Sequence, residues 1–559
     1  MSEGIDNAAG GIPAKGVRVD TPAPPLTAAE PRRGRVPRWV WPAALAVAAA
    51  ILFLCYVRLS GTVADGADGA DQSLQAWDML HGNLLLHGWT VGDVSYYTTE
   101  IPEYMIVELI RGLSPATIHV AAAVTYTLLV LLAGLAAKGR ATGREGVIRV
   151  LIGSGIMIAP QLGHSVALLI QQPDHIGSQV PLLLTFIVLD RAPRRWYTPV
   201  AITVMLTWVT ISDRVAVFDA AAPLVAVCGI RALWAWVHDR KPLASLWYEF
   251  SLMAAGVVSF AAAALVVSAI KDLGGYTSLP LPTAAISGNA ILGHLGRAGE
   301  GIVNLYGADI TNAPSGVKIV IAVVHFVGLA LAALGFCAAF RRFFSGDLIV
   351  PVLAAGIVIN VTAYVLSNVL DGWFDVREIL AVLPYGAVLA GRLLAEPLAR
   401  TRLKPVLAGV LACYLLALGY GVAQRSPEPD NEQPVVSWLE AHHLHTGLGT
   451  YVEANLITLD SGGRVAVRTV SWLPSGAVAR DFESETSWYD PRVSYANFVV
   501  TDSADGQSPN PIPYSDILAL AGPPAHTYHY KAFTIMVWNH NLLADLGTPP
   551  SPLPGNLRS

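Results

Sequence analysis

WVWPAALAVAAAILFLCYV (39–57) is an apolar run of 19 residues, and the acidic segment ADGADQSLQAWDML (67–80) follows it within ten residues. About 20 apolar residues suffice to cross the hydrocarbon core of a bilayer. The four Arg of PRRGRVPR (31–38) precede the run, and basic residues favour the cytoplasmic side of a membrane. The sequence therefore predicts a first membrane span with a cytoplasmic N-terminus and an acidic loop on the outer side.

The composition agrees with a chain built for lipid. Hydrophobic residues make up 53% of the 559 positions, charged residues only 14%, and the mean hydropathy is +0.49. Soluble domains carry about 25% charged residues. The four cysteines each lie inside an apolar run, which argues against a disulfide framework or a zinc site.

Ten further apolar runs predict about eleven spans in total. They lie near 118–137, 148–170, 179–190, 198–212, 215–237, 245–270, 318–340, 347–368, 379–397 and 405–422. Basic clusters fall in alternate loops, at 138–144, 190–196, 238–241, 341–342 and 399–404. All of them therefore face the side of the N-terminus, and the odd number of spans puts the C-terminus outside.

Three outer pieces are large: the first loop (59–117), the loop 271–317 and the tail from 423 onward. In the tail, QPVVSWLEAHHL predicts a helix, while RVAVRTVSW, SYANFVVT and HTYHYKAFTIMVW predict strands. The predicted domains are a disordered cytoplasmic tail (1–37), a multi-spanning membrane domain (38–422), an extracytoplasmic α/β domain (423–545) and a Pro-rich tail (546–559).

The first outer loop should open with an amphipathic helix. At 100° per residue, Leu74 and Trp77 share one side, while Asp71 and Asp78 lie two turns apart at its edge. Such a helix is expected to lie on the membrane with its apolar side in the headgroup boundary. The other acids of the loop are expected to form a solvated face that discourages insertion; they are Asp65, Asp68, Glu103 and Glu108.

A first span followed by a long outer loop that opens with an acid on a surface helix resembles the GT-C superfamily of membrane glycosyltransferases. Protein O-mannosyltransferases and the aminoarabinose transferase of lipid A share this plan. The resemblance implies that Asp71 is the catalytic general base, which takes a proton from the acceptor hydroxyl. The residue after Asp71 is Gln72, where the pattern of the superfamily has Glu.

The late segment DGWFDVREILAVLPYGAVLAGR (371–392) also resembles the superfamily, which has an outer Arg before a span with Leu-Pro. The resemblance implies that Arg377 binds the phosphate of a lipid-linked donor, for which a planar guanidinium is well suited. The alternative is that Arg377 pairs with a neighbouring acid at a helix start; these acids are Asp371, Asp375 and Glu378.

Further candidate substrate-binding residues lie at predicted outer positions. They are Asp78, Tyr97, Glu100, Asp174, His175 and Arg214. Asp213 beside Arg214 can instead form a neutralising pair at a helix end. HHLHT (442–446) lacks a ligand set at metal spacing, and no phosphate-binding Gly loop is present.

The predicted fold class is thus an α-helical polytopic membrane protein, GT-C-like, with a C-terminal extracytoplasmic α/β domain. The predicted activity is transfer of a sugar from a polyprenyl-phosphate donor to an extracytoplasmic glycan, lipid or protein, with inversion. We expect no metal, no cofactor and no nucleic-acid partner, and location in the cell membrane. The alternatives are a transporter or lipid flippase, or an inactive GT-C-like scaffold, which Gln72 favours.

Overall fold

The structure is a computed structural model of the chain. It describes residues 40–160, 164–278, 284–311, 313, 316–368, 374–400, 404–429, 432–473, 476–480, 482–502 and 514–547. The predicted N-terminal tail (1–37) and residues 548–559 of the predicted Pro-rich end lie outside these residues, as does Asp371. Contacts divide the chain after Ala48, inside the first helix, and residues 49–559 form the larger of two compact units.

The described chain is mostly helical. In chain order the helices are α1 (Val40–Ser60), α2 (Ala67–Leu80), α3 (Glu100–Arg111), α4 (Ala116–Lys138), α5 (Gly143–Met157), α6 (His164–Ile170), α7 (Asp174–Arg191), α8 (Tyr197–Ser212), α9 (Ala222–Val237), α10 (Trp247–Asp272), α11 (Ile291–Leu305), α12 (Gly316–Arg341), α13 (Ile349–Leu366), α14 (Val382–Arg400), α15 (Lys404–Gln424), α16 (Glu432–Ala441), α17 (Tyr451–Asp460) and α18 (Tyr514–Ala521).

The strands are short and lie in the outer pieces. They are β1 (Trp89–Val91), β2 (Thr277–Ser278), β3 (Thr446–Gly449), β4 (Ala466–Leu473), β5 (Gly476–Ala479), β6 (Ser484–Glu485), β7 (Phe498–Asp502), β8 (His526–Tyr530) and β9 (Phe533–Val537). Within the described residues they form a sheet of order β2-β1-β6 and a sheet of order β5-β4-β3-β7-β9-β8.

Eight helical segments of the described chain are long and apolar enough to cross a membrane, fewer than the predicted eleven. They are Pro42–Ser60, Ala116–Lys138, Val217–Val237, Leu243–Asp272, Gly316–Arg341, Ile349–Leu366, Asp375–Arg400 and Pro405–Gln424. The predicted span 148–170 is divided between α5 and α6, since Pro160 between them has no amide hydrogen to continue a helix. The predicted span 198–212 corresponds to α8, an apolar helix of 16 residues.

The basic loops meet at one end of the helices, as the alternating pattern predicts. The side chain of Arg140 donates to the backbone oxygen of Asp190 (Nε–O 2.9 Å). Arg392 pairs with Asp190 at 2.7 Å and with Asp347 at 3.0 Å. These contacts bring together the loop after α4, the last turn of α7, the loop after α12 and helix α14, and we call this the basic end. That this end faces the cytoplasm stays a prediction.

The small sheet joins the three outer pieces. Strand β1 belongs to the first loop, β2 to the loop after α10 and β6 to the tail. Thr90 is the shared partner, since it pairs in parallel with Thr277 and antiparallel with Ser484. Segments nearly 400 positions apart are thus hydrogen-bonded beside α2.

The larger sheet lies in the tail, where strands were predicted. Strand β4 covers most of RVAVRTVSW, β7 lies in SYANFVVT, and β8 and β9 form a hairpin in HTYHYKAFTIMVW. The predicted helix in QPVVSWLEAHHL is α16. Strands β3, β4 and β7 run in parallel, and Val467, Phe498 and Ile535 are buried in the core between the sheet and the helices. The predicted domain boundaries remain predictions.

Candidate functional site

Helix α2 is buried in the protein, so the prediction that its apolar side faces lipid is wrong. Nine of its 14 residues are buried, among them Leu74. The helix packs against α3 and α4 and is covered by α17 of the tail. Local periodicity predicted the helix correctly. It could not predict the burial of the helix, because the tail that covers it is almost 400 positions away in the sequence.

An ion-pair triad joins the start of α2, the start of α7 and the turn before α14. The guanidinium of Arg377 lies between two carboxylates, with Nη1 at 2.9 Å from Asp174 Oδ2 and 3.3 Å from Asp68 Oδ2. The alternative prediction, pairing with an acid, is therefore right in kind. Neither of these partners is one of the sequence neighbours that were predicted.

The tail contributes to this triad. The hydroxyl of Tyr451, the first residue of α17, donates to Asp68 Oδ1 at 3.0 Å. The side chain of Asp68 is 37% exposed on its remaining side. Asp68 therefore belongs to a polar cluster with Arg377, Asp174 and Tyr451, and the prediction that it is a purely solvated acid is wrong.

The other acids expected to be solvated are also engaged or buried. Asp65 contacts the ring of His119 at 3.2 Å. Burial raises the pKa of Glu103 to about 7, although Thr125 donates to it, and raises the pKa of Glu108 to about 9. The acidic loop is therefore folded into the protein and does not form a hydrated face.

Asp71 lies one turn after Asp68 on the inner side of α2. It is only 2% exposed, Gln75 donates to its Oδ2 at 2.5 Å, and its Oδ1 has no hydrogen-bond partner among the described residues. Burial raises the pKa of Asp71 to about 7, against the hydrogen bond from Gln75. The carboxylate is thus poised near neutral pH but closed off from solvent.

Charged residues of the tail interact electrostatically with Asp71. Arg480 lies 4.2 Å from the ring centroid of Tyr451, and its Nη2 is 3.4 Å from Glu483 Oε2. Burial raises the pKa of Glu483 well above its usual value, and the charges of Asp68 and Asp71 add to this. Glu483 also has φ of +51°, a conformation that is rare outside glycine. No local pattern in the sequence indicates this arrangement.

Asp174 and His175 form the second part of the cluster, as their predicted outer position suggested. Burial alone would raise the pKa of Asp174, but the charges of Arg377 and His175 outweigh it and hold the pKa at about 2. The ring of His175 contacts Asp213 (Nδ1, 3.0 Å) and Glu378 (Nε2, 3.3 Å). Burial would lower the pKa of His175, yet the charges of Glu378 and Asp213 outweigh it and raise this pKa well above its usual value.

Three of the predicted site residues lie apart from this cluster or serve a structural contact. Asp78 accepts hydrogen bonds from Asn83 and from the indole of Trp89, both at 2.7 Å. The hydroxyl of Tyr97 donates to the backbone oxygen of Leu84. Glu100 is fully buried, and Ser178 of α7 donates to it at 3.3 Å.

A cleft adjoins the cluster and consists of two cavities of about 510 and 480 Å³. Asp93 and Arg214 line both. The larger cavity is also lined by Asp213 and Glu378, which hold His175. The smaller cavity has an apolar wall from α8 and α10 and a second cation, Lys271.

The charges of the cluster act on Asp93. Burial raises the pKa of this side chain, Glu378 adds to the rise, and His175 and Arg377 oppose it. The sequence indicated Arg214 but neither Asp93 nor Lys271. Asp93 lies inside the predicted outer loop 59–117 and Lys271 begins the loop 271–317, where charged residues are common, so no pattern marked them.

Among the described residues, no group of three His, Cys, Asp or Glu side chains is arranged to hold a metal ion. The acids of the cluster are instead held by Arg377 and His175.

The comparisons with known proteins find similarity in structure and not in sequence. No protein-family model matches the chain, and the curated proteins contain no similar sequence. Among solved structures, the apo form of the Archaeoglobus fulgidus oligosaccharyltransferase matches with 14% identity, over 83% of this chain and 70% of that one, at a TM-score of 0.44.

Proposed function

We propose that this protein is a membrane glycosyltransferase that uses a lipid-linked phosphosugar. The observation that supports this most is the cleft. Its smaller cavity has Arg214 and Lys271 beside an apolar helix wall, and its larger cavity is also lined by the carboxylates of Asp213 and Glu378. A substrate with a lipid tail, a phosphate and a sugar has the same three parts in the same order.

The donor phosphate is proposed to bind Arg214 and Lys271. Both are exposed and line the smaller cavity, and neither forms an ion pair with a described residue. Phe260, Ala264 and Val267 of α10 supply the apolar wall along which the lipid would lie. Arg377 was predicted for this role, but two carboxylates already contact it. We therefore propose that Arg377 positions those two acids.

The general base is proposed to be Asp68, three residues before the predicted Asp71. A base must reach the acceptor hydroxyl, and the side chain of Asp68 is partly open whereas Asp71 is sealed. Tyr451 and Arg377 fix the orientation of the Asp68 carboxylate. In this assignment Asp71, which is buried one helical turn after Asp68, has a supporting structural role and is not the base.

In the proposed reaction the acceptor oxygen attacks the anomeric carbon, and its proton passes to Asp68. The bond from that carbon to the phosphate oxygen breaks, and the lipid phosphate leaves with the electron pair. A single displacement inverts the anomeric centre. General-base assistance contributes about 10² to 10⁴ in rate, and the cations stabilise the charge that develops on the leaving phosphate.

The test uses two steps. Mass spectrometry of a deletion strain identifies the lipid-linked sugar that accumulates, and that lipid is then given to the purified protein in nanodiscs. The proposal expects transfer of the sugar and release of the lipid phosphate. Movement of an intact donor across sealed vesicles without transfer would instead establish the flippase alternative.

A further inference from the structure

At the basic end, far along the helices from the proposed active site, an apolar groove of about 440 Å³ runs between α5 and α15. We propose that it binds one acyl chain of an anionic phospholipid, whose phosphate lies on Arg144. This proposal does not depend on the proposed function.

The lining of the groove suits a hydrocarbon chain. Along α5 it consists of apolar side chains such as Val147 and Leu151, and along α15 of Leu407, Leu411 and Leu415. Val147 and Leu151 are about half exposed, although a helix face of this composition belongs in apolar surroundings. Only 22% of the apolar span in α15 is buried inside the protein, so most of this helix is exposed. The groove is therefore open to lipid along its length.

Glycines create the inner end of the groove. A Cβ at Gly155 would lie 3.2 Å from Leu411 Cδ1, and a Cβ at Gly328 would lie 2.2 Å from the Tyr414 hydroxyl. The groove thus closes where α5, α12 and α15 come together around Tyr414, which is buried.

The depth of the groove equals about one leaflet. From Arg144 to Ile156 on α5 is 12 residues, or about 18 Å at 1.5 Å per residue. Half of a hydrocarbon core is about 15 Å. An acyl chain that enters from the leaflet at the basic end would therefore fill the groove and stop near the bilayer centre.

Arg144 selects the headgroup. Of the described lining residues it is the charged one, it is exposed, and it forms no ion pair with a described residue. It stands in the first turn of α5, whose Thr142 N-cap makes no side-chain hydrogen bond, so amide hydrogens of that turn also face an approaching phosphate. Basic pockets between helices at this leaflet are suited to anionic headgroups.

The experiment uses the full chain in nanodiscs with a trace of phosphatidylglycerol or phosphatidylcholine that carries a photoreactive acyl chain. After irradiation, mass spectrometry should find phosphatidylglycerol on peptides of α5 and α15. Arg144→Glu should reduce this labelling at least about five-fold, because each basic residue near the surface contributes such a factor. The matched control Arg341→Glu, also exposed at the basic end, should not.

Gly155→Leu should block the chain and lower labelling by both lipids. Equal labelling by the two lipids, unchanged labelling in Arg144→Glu, or labels spread over all lipid-facing helices would overturn the proposal. Loss of phosphatidylglycerol labelling on addition of inorganic phosphate alone would also overturn it, since the ligand would then be a free anion.

Discussion

The hydroxyl of Tyr451 donates a hydrogen bond of 3.0 Å to Asp68 across 383 positions of the chain. The tail therefore contributes directly to the acid cluster of the first loop. Tyr451→Phe keeps the ring that lies under Arg480 and removes only this donor. A hydrogen bond to a charged group contributes about 1.5–3 kcal/mol, so sugar transfer should fall by about ten-fold or more.

Steady-state transfer rates of Tyr451→Phe measure this effect. Tyr530→Phe, in strand β8 of the same tail, is the matched control and should retain the wild-type rate. If the two variants have the same transfer rate, the hydrogen bond from Tyr451 has no role in transfer and the tail only covers α2.

Arg377 should contribute to the stability of the fold as well as to the rate of sugar transfer. Arg377→Ala removes the cation that contacts the buried Asp174, and removing one partner of a buried pair costs about 3–5 kcal/mol. Because Arg377 is partly exposed, the smaller value is expected. Arg377→Lys should recover most of the melting temperature, since one ammonium can still contact one carboxylate, but little of the transfer activity.

Thermal unfolding in detergent and transfer in nanodiscs separate the two effects. A variant with a normal melting temperature and weakened donor binding would return Arg377 to the phosphate-binding role that the sequence predicts.

Arg214 and Lys271 should determine the affinity for the donor. Arg214→Ala and Lys271→Ala are each expected to raise the KM for the lipid-linked sugar by about ten-fold, because each removes a charge-assisted contact with the phosphate. Both should leave the melting temperature unchanged, since the side chains are exposed. Arg111→Ala, another exposed Arg at the end of α3, should leave KM unchanged.

The stability of the protein should depend on pH through Glu108. Its pKa is raised by burial to about 9, whereas an unfolded Glu titrates near 4.3. Between these values the folded state binds one more proton than the unfolded state, so stability falls as the pH rises. Glu108→Gln removes this titration. The melting temperature of the variant should therefore match wild type at pH 4.5 and exceed it at pH 8, as scanning fluorimetry can measure.

Topology is tested by single cysteines in a background without the four native ones. Val493→Cys in the tail should react with an impermeant maleimide in intact cells. Gly346→Cys, exposed at the basic end, should react only after permeabilisation. The reverse pattern would put the proposed active site on the cytoplasmic side.

The part of this architecture that could be predicted is the part that local pattern controls. The length of the apolar runs predicted most of the spans, and the basic clusters in alternate loops predicted the basic end. The alternation of apolar and polar residues predicted the strands of the tail. The break of 148–170 at Pro160 was missed because its apolar residues continue on both sides.

The site depends on contacts between distant segments, which no window of sequence contains. Helical period predicted Asp71 at the edge of a lipid-facing side of α2, but α17 and the neighbouring helices cover α2, so Asp71 is buried and Asp68 is partly exposed. Arg377 meets acids 203 and 309 positions away. The sequence therefore indicated that Arg377 pairs with acids, but it did not indicate that Asp68 and Asp174 are among them.

We propose that one partly open carboxylate on α2, that of Asp68, accepts the acceptor proton. Single-turnover transfer with bound donor tests it most directly, in Asp68→Asn and Asp71→Asn compared at equal donor occupancy. Asp68→Asn should slow transfer by about 10² or more while donor binding persists, because an amide keeps the shape but cannot take a proton. Asp71→Asn should slow it by less than about ten-fold. A large loss in Asp71→Asn with near-normal transfer in Asp68→Asn would contradict this assignment, and small equal losses in both would remove general-base catalysis by this helix.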